Sequence, residues 1–198
     1  MSLYNVKRYF SQYGEDFLLW HFFDTKPQGF FIDIGAFDGI HLSNSYSFEL
    51  AGWRGICVEP HPFYFNLCRQ NRPNAICINK ACGKEERHNI VFHVDNTGLF
   101  SSLHDIGQEE NIKGHFGLLK EIQLKTDSIE VDIVPLNSLL EHTPPGCDID
   151  FVSIDVEGAE LDVLYGFDLV KYRPRVLVIE TNTPEAMHEI DTYLQGAE

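Results

Sequence analysis

The stretch "FFIDIGAFDGIHLSN", residues 30–44, decides how the chain is read. "FFIDI" is apolar except for Asp33 and reads as a short buried strand. Gly35 and Gly39 then frame a tight turn. A helix is expected from about Asn44 to Ala51, with Gly52 at its C-terminal end. Strand, glycine turn and helix in this order begin many nucleotide-binding α/β chains. A dinucleotide fingerprint, however, needs three glycines, and "GAFDGI" at 35–40 supplies two.

Outward from this turn, apolar strands and helices alternate. "GEDFLLWHFFD" (14–24) is an amphipathic helix within an N-terminal helical segment, 1–29. "GICVEP" (55–60) is a second strand, and "PFYFNLCRQN" (62–71) a helix stopped before Pro73. "AICINKA" (75–81) is a third strand. "NIVFHVD" (89–95) and "SIEVDIVP" (128–135) alternate polar and apolar residues, as half-exposed strands do. They predict an antiparallel hairpin inserted at 84–134. The long segment 96–128 between them reads either as an acceptor-site wall or as a surface loop. Its Phe100, His104, His115 and Phe116 could stack on a ring or pack on one another. The rhythm then resumes with helical "PLNSLLEH" (135–142) and the strand "DIDFVSID" (148–155). Helical "EGAELDVLYGF" (157–167), the strand "RVLVIET" (175–181) and helical "PEAMHEIDTYLQ" (184–195) complete it. The expected fold is α/β: one domain over 1–198, with a mostly parallel, doubly wound, Rossmann-like sheet.

The formal charge of −15 argues against a general grip on nucleic acid or on an anionic membrane, both of which need a basic face. The five cysteines are odd in number and form no C-x-x-C pair. They read as small buried hydrophobes in a reducing compartment. With no signal-peptide pattern and no apolar run near ~18 residues, a cytoplasmic location is expected.

The charges on the turn select its ligand. Asp33 and Asp38 flank the place where a pyrophosphate would sit. A like-charge pair at ~4 Å costs on the order of 4 kcal/mol in an intermediate dielectric. S-adenosylmethionine has an adenosine, no phosphate, and a positive sulfonium and ammonium, so an acid-lined turn suits it. The competing reading of Asp38 is a helix-start residue. Glu59 ends the second strand 20 residues past Gly39, where nucleoside sites hold the ribose hydroxyls.

A second acid group closes the fourth and fifth strands. "VSIDVEGAELDVL" (152–164) carries Asp155, Glu157 and Glu160, and "VIETN" (178–182) carries Glu180 and Asn182. Strand four is expected beside strand one, which brings Asp155 to the methyl-bearing end of the cofactor. Glu160 also fits a plain helix-capping role. Asp155 is the first candidate for general base, followed by Glu157 and Glu180. His41 is a weaker candidate, and His61 could lie near the adenosine.

These motifs resemble the FkbM-type methyltransferases. The resemblance rests on "SQYGED" (11–16), "FIDIGAFDG" (31–39), "SN" (43–44), "GWRGICVEP" (52–60), "SSL" (101–103) and "IDVEGAE" (154–160). It implies a Rossmann-like, S-adenosylmethionine-dependent O-methyltransferase acting on hydroxyls of sugars or natural products. By motif, Asp33, Gly35, Ala36, Asp38, Gly39, Glu59, Pro60 and Asp155 would contact the cofactor. Gln12 and Asn44 would lie near its methionine end, and Ala81 at the adenine edge. The usual methyltransferase sheet continues into a hairpin after the fifth strand's helix, whereas this sequence stops at Glu198. Either two strands are missing here, or the middle strands or a second copy in a homodimer cover the open edge. Catechol-type enzymes hold a divalent ion with acids and an amide at the ends of strands four and five. Asp155, Glu180 and Asn182 could imitate that set with Mg²⁺, but "IDVEG" is not the catechol-type motif and the metal-free reaction ranks first. The alternatives are a non-catalytic S-adenosylmethionine-binding module and an NAD-linked oxidoreductase.

Overall fold

The computed structural model describes residues 8–24, 26–95, 126–143 and 146–196. In chain order the elements begin with α1 (Glu15–Phe22), β1 (Phe30–Ile34), α2 (Tyr46–Leu50), β2 (Arg54–Val58) and α3 (Pro62–Asn71). There follow β3 (Ala75–Ile78), β4 (Ala81–Cys82), β5 (Arg87–Asp95), β6 (Thr126–Val134) and α4 (Leu136–Leu139), which runs into a 3₁₀ turn. The last are β7 (Phe151–Ile154), α5 (Glu160–Tyr165), α6 (Leu169–Tyr172), β8 (Val176–Ile179) and α7 (Pro184–Gly196). The expected residues 96–125, with Phe100, His104, His115, Phe116 and "SSL", lie outside the described residues.

β1 is buried along its whole length, as a strand covered on both faces must be. The main sheet has the order β3-β2-β1-β7-β8, and every pair in it is parallel. The chain grows outward from β1 to β3, then returns to place β7 beside β1. This reversal is the switch point where α/β sheets open a crevice at the carboxyl ends of their strands.

Alternation along β1 feeds two cores. Phe30, Ile32 and Ile34 pack with Val152, Leu136, Val163, Leu164 and Ile190 under α4, α5 and α7. Phe31 points the other way, to Leu19, Trp20, Phe23, Phe48, Trp53 and Phe151 under α1 and α2. Trp20 and Phe48 stack there with centroids 4.3 Å apart. Each such side chain contributes about 1.5–3 kcal/mol on burial. The residues that separate the two half-sheets form a three-stranded sheet, β4-β6-β5. In it β5 runs antiparallel to β6, as the alternating pattern predicts. Phe92, Val94, Val131 and Ile133 give it an apolar face.

Two helices start later than the sequence suggests. The helix after the glycine turn begins at Tyr46 rather than Asn44. Ser43 Oγ accepts the N–H groups of Ser45 and Tyr46, and the Asn44 side chain leaves to donate to Ser153. The helix after β7 begins at Glu160, because Glu157 and Gly158 have φ of 54° and 99° and cannot continue a right-handed helix. No pattern in the sequence points to α6. It spans four residues, too few for periodicity, and is capped by Asp168 accepting from the N–H of Lys171.

Candidate functional site

The carboxyl ends of β1, β2, β7 and β8 border one cavity, roofed by the N-terminal segment and the small sheet. From the glycine turn come Asp33, Gly35, Ala36, His41 and Asn44; from the end of β2 come Glu59 and Pro60. Asp155, Glu157 and Glu180 border it on the far side, with Gln12 and Ala81 at its rim. Asp38, Gly39, His61 and Asn182 do not border it.

Both glycines of the turn have positive φ, 83° at Gly35 and 84° at Gly39, but their missing side chains make room for protein rather than ligand. A Cβ on Gly35 would lie 1.7 Å from the Asp155 carbonyl oxygen, and one on Gly39 would lie 2.7 Å from Arg72 Cγ. The N–H groups of Gly35 and Ala36 both donate to the Val58 carbonyl, at 2.9 and 3.0 Å, which pins the turn to the end of β2. Asp38 faces its own loop. Its Oδ1 accepts from the N–H groups of Ile40 and His41, each at 2.9 Å, and its Oδ2 lies 2.5 Å from His41 Nδ1. Burial works against its ionisation, yet these bonds hold its carboxyl below the ordinary value. Asp38 therefore orients the His41 ring at the cavity mouth.

Asp33 lies on the α1–α3 face of β1 and is almost fully buried. Its carboxylate accepts from the hydroxyls of Ser45 and Ser43 and lies 3.8 Å from the Arg72 guanidinium. Arg72, at the end of α3, is 1% exposed. It donates to Glu49 at 2.5 Å, to the Gly39 carbonyl at 3.0 Å and to Ser45 Oγ at 2.7 Å. One guanidinium thus joins β1, α2, α3 and the glycine turn. Burial alone would lower its pKa, but the Cys57 thiol, Asp33 and Glu49 around it raise it. The sequence reading missed Arg72. Its signal was a lone arginine at a helix end before a proline, a position that ordinarily faces solvent.

Glu59 is set differently. Its Oε2 accepts from the Phe37 N–H at 2.9 Å and its Oε1 from the His61 N–H at 2.7 Å. Each oxygen keeps a second acceptor site. Burial pushes this carboxyl up to about 8 against the pull of the two amides, and the charge of Asp33 adds to the rise. Asn44 donates to Ser153 Oγ at 3.0 Å, while its own Oδ1 is buried and accepts no hydrogen bond from the described residues.

At the other end, carboxylate oxygens of Asp155, Glu157 and Glu180 lie within 4.8 Å of one another. Burial, then the hydrogen bond and charge of Glu180, raise the Asp155 carboxyl well above the ordinary range. Three acids this close in a sheltered place cannot all be ionised, so the group holds at least one proton among its members. Glu160 stands behind them. Its Oε1 accepts from the N–H groups of Val156 and Gly158, at 3.3 and 3.0 Å, and braces the left-handed turn that presents Glu157. "DVEGAE" is thus a loop and its own support.

The N-terminal segment has a similar construction. Buried Asp16 accepts from the Phe10 N–H at 2.7 Å and the Ser11 hydroxyl at 2.6 Å, and Ser11 pairs with Leu42. This lays Gln12 over the cavity. Phe92 of β5 and Lys80 complete the wall, and neither was picked out from sequence.

Comparison with curated proteins and with solved structures gave no match. A family model, the Methyltransferase FkbM domain, matches residues 33–198, a span that takes in the glycine turn, Glu59 and the "IDVEGAE" loop. The chain belongs to the FkbM methyltransferase domain family.

Proposed function

We propose that the protein moves a methyl group from S-adenosylmethionine to a hydroxyl of a sugar or natural-product-type acceptor. The observation that carries this reading is the arrangement of acceptors along one cavity: Glu59 at the end of β2, and the Asp155–Glu157–Glu180 group at the ends of β7 and β8. A ligand with ribose hydroxyls at one end and positive charge at the other suits this set of acceptors, and a pyrophosphate does not. The buried, unpartnered Oδ1 of Asn44 fits an ammonium N–H. When bound, the cofactor supplies a methyl group on a sulfonium.

The protein's own part is to bind, align and take a proton. Glu59, fixed by two amides, accepts from the ribose hydroxyls. Gln12 and Phe92 border the cavity from above and limit its water. With the group's resident proton on a neighbouring carboxyl, ionised Asp155 receives the proton that the acceptor hydroxyl loses. Alignment of hydroxyl and methyl supplies most of the remaining acceleration.

A second reading rests on the closeness of the three carboxylates. They could share a Mg²⁺, which takes carboxylate and water oxygens. Loss of turnover in EDTA, restored by Mg²⁺, would select it. The primary test is calorimetry with S-adenosylmethionine, followed by a labelled-methyl screen over sugars and hydroxylated metabolites. Binding with transfer supports the proposal. Binding without transfer points to a non-catalytic module. No heat and no thermal shift would sink both, and nicotinamide fluorescence quenching would then revive the oxidoreductase.

A further inference from the structure

Behind the glycine turn, where α3 packs on the sheet, three cysteines meet. β1, β2 and β3 are in parallel register, so Asp33, Cys57 and Cys77 form one row across the sheet. Cys68 of α3 comes down on that row. The three sulfurs lie within 4.8 Å of one another, and Cys68 Sγ is 3.9 Å from Cys77 Sγ.

We propose that this trio is an oxidation site for hydroperoxides, with Cys77 as the attacking sulfur and Cys68 as the partner that closes a disulfide. Three observations carry it. First, the trio grades from core to solvent. Cys57 and Cys68 are buried, while Cys77 is half-buried on β3, the edge strand of the sheet, so a small peroxide reaches Cys77 first. Second, cations stand near it. Arg72 is packed in the interior beside the row, Arg69 lies on α3, and both favour a thiolate over a thiol at Cys77. Third, the resolving thiol is already in contact and sits on a helix rather than in the sheet. Cys57, by contrast, is held in the same sheet as Cys77, in register with it.

The charge distribution agrees. Hydrogen bonds from Cys57 and Cys68 hold the Cys77 thiol down to about 4, while the Cys57 and Cys68 thiols are raised. A negative charge on the trio is therefore favoured on the sulfur nearest solvent. A metal site would need further thiolates beside the buried Asp33 and Glu49.

The chemistry balances with the peroxide as oxidant. The Cys77 thiolate attacks the peroxide oxygen, an S–O bond forms, the O–O bond breaks, and the leaving oxygen departs as hydroxide or alkoxide. Sulfur is oxidised by two electrons and the peroxide is reduced. The Cys68 thiol then gives up its proton and attacks the Cys77 sulfur. The S–S bond forms, the S–O bond breaks, and water leaves.

The test needs no variant to begin. Wild-type protein is reduced and alkylated with limiting iodoacetamide across a pH series, with Cys147 as internal comparison because burial raises its thiol. At mildly acidic pH, Cys77 should react at least about tenfold faster than Cys147. One equivalent of hydrogen peroxide should then yield a Cys68–Cys77 cross-link on peptide mapping. In Cys68→Ser, dimedone should label Cys77 instead. Equal alkylation of Cys77 and Cys147, oxidation scattered over all five cysteines, or a disulfide that excludes Cys77 would each overturn the proposal. So would zinc that co-purifies in equal amount and shields all three sulfurs.

Discussion

A Cβ on Gly35 would sit 1.7 Å from the carbonyl oxygen of Asp155, so the turn after β1 and the acid at the end of β7 are in direct backbone contact. Gly35→Ala must force the two strand ends apart or move the turn, and it also places a side chain at a φ of 83°. The expected loss is about 3 kcal/mol or more, from overpacking plus left-handed strain. Urea unfolding at neutral pH measures it. A variant within about 0.5 kcal/mol of wild type would mean that the β1 turn and Asp155 do not meet this way.

Among the described residues, Arg72 is the buried cation that meets Asp33, Glu49 and two serine hydroxyls. Arg72→Met leaves two buried carboxylates without their counter-charge, which costs about 3–5 kcal/mol. The paired variant Arg72→Met with Glu49→Gln should recover part of that loss, because one stranded charge is removed with it. A double-mutant cycle in urea gives the coupling.

Stability should depend on pH through Glu59. Its folded carboxyl is raised to about 8 from an unfolded value of 4.5. Between these values the folded chain keeps a proton that the unfolded chain has lost. The Glu59 contribution to stability is therefore greatest below about 4.5, falls as pH rises, and levels off above about 8. The fall is on the order of a few kcal/mol. Glu59→Gln should flatten this slope in unfolding curves taken across that range. If the cofactor's hydroxyls bind the ionised form, binding near neutral pH will also release protons, read by calorimetry in buffers of different ionisation enthalpy.

Asp155→Asn separates binding from chemistry. If Asp155 receives the acceptor's proton, turnover should fall by about 10²–10⁴ while S-adenosylmethionine affinity changes only a few-fold. Loss of affinity with turnover per bound cofactor intact would give Asp155 a binding role alone.

Asp38→Ala tests the direction of that carboxylate. It supports the Ile40 and His41 N–H groups and the His41 ring and does not border the cavity. The expected result is a loss of about 1–2 kcal/mol in stability with little change in cofactor affinity. A tenfold weaker affinity with unchanged stability would return Asp38 to the cofactor.

The alternation of short apolar strands with helices was sufficient to specify a parallel sheet, its strand boundaries to within a few residues, and the return of β7 beside β1. These features arise from local periodicity and from glycines and prolines that act on their own neighbours, so the sequence by itself determined them. Glu59, Asp155, Glu157 and Glu180 were legible for the same reason: each stands at or just past the end of a recognisable strand. What the strands do not encode is which way the intervening groups face. Asp33 turns to Arg72, Asp38 to His41, and Glu157 joins Asp155 and Glu180. These depend on lateral register and on contacts across many residues, which only the tertiary structure decided. The cysteines make the point most plainly. Read along the chain they are scattered core residues; parallel register and one helix crossing bring Cys57, Cys68 and Cys77 to a single spot.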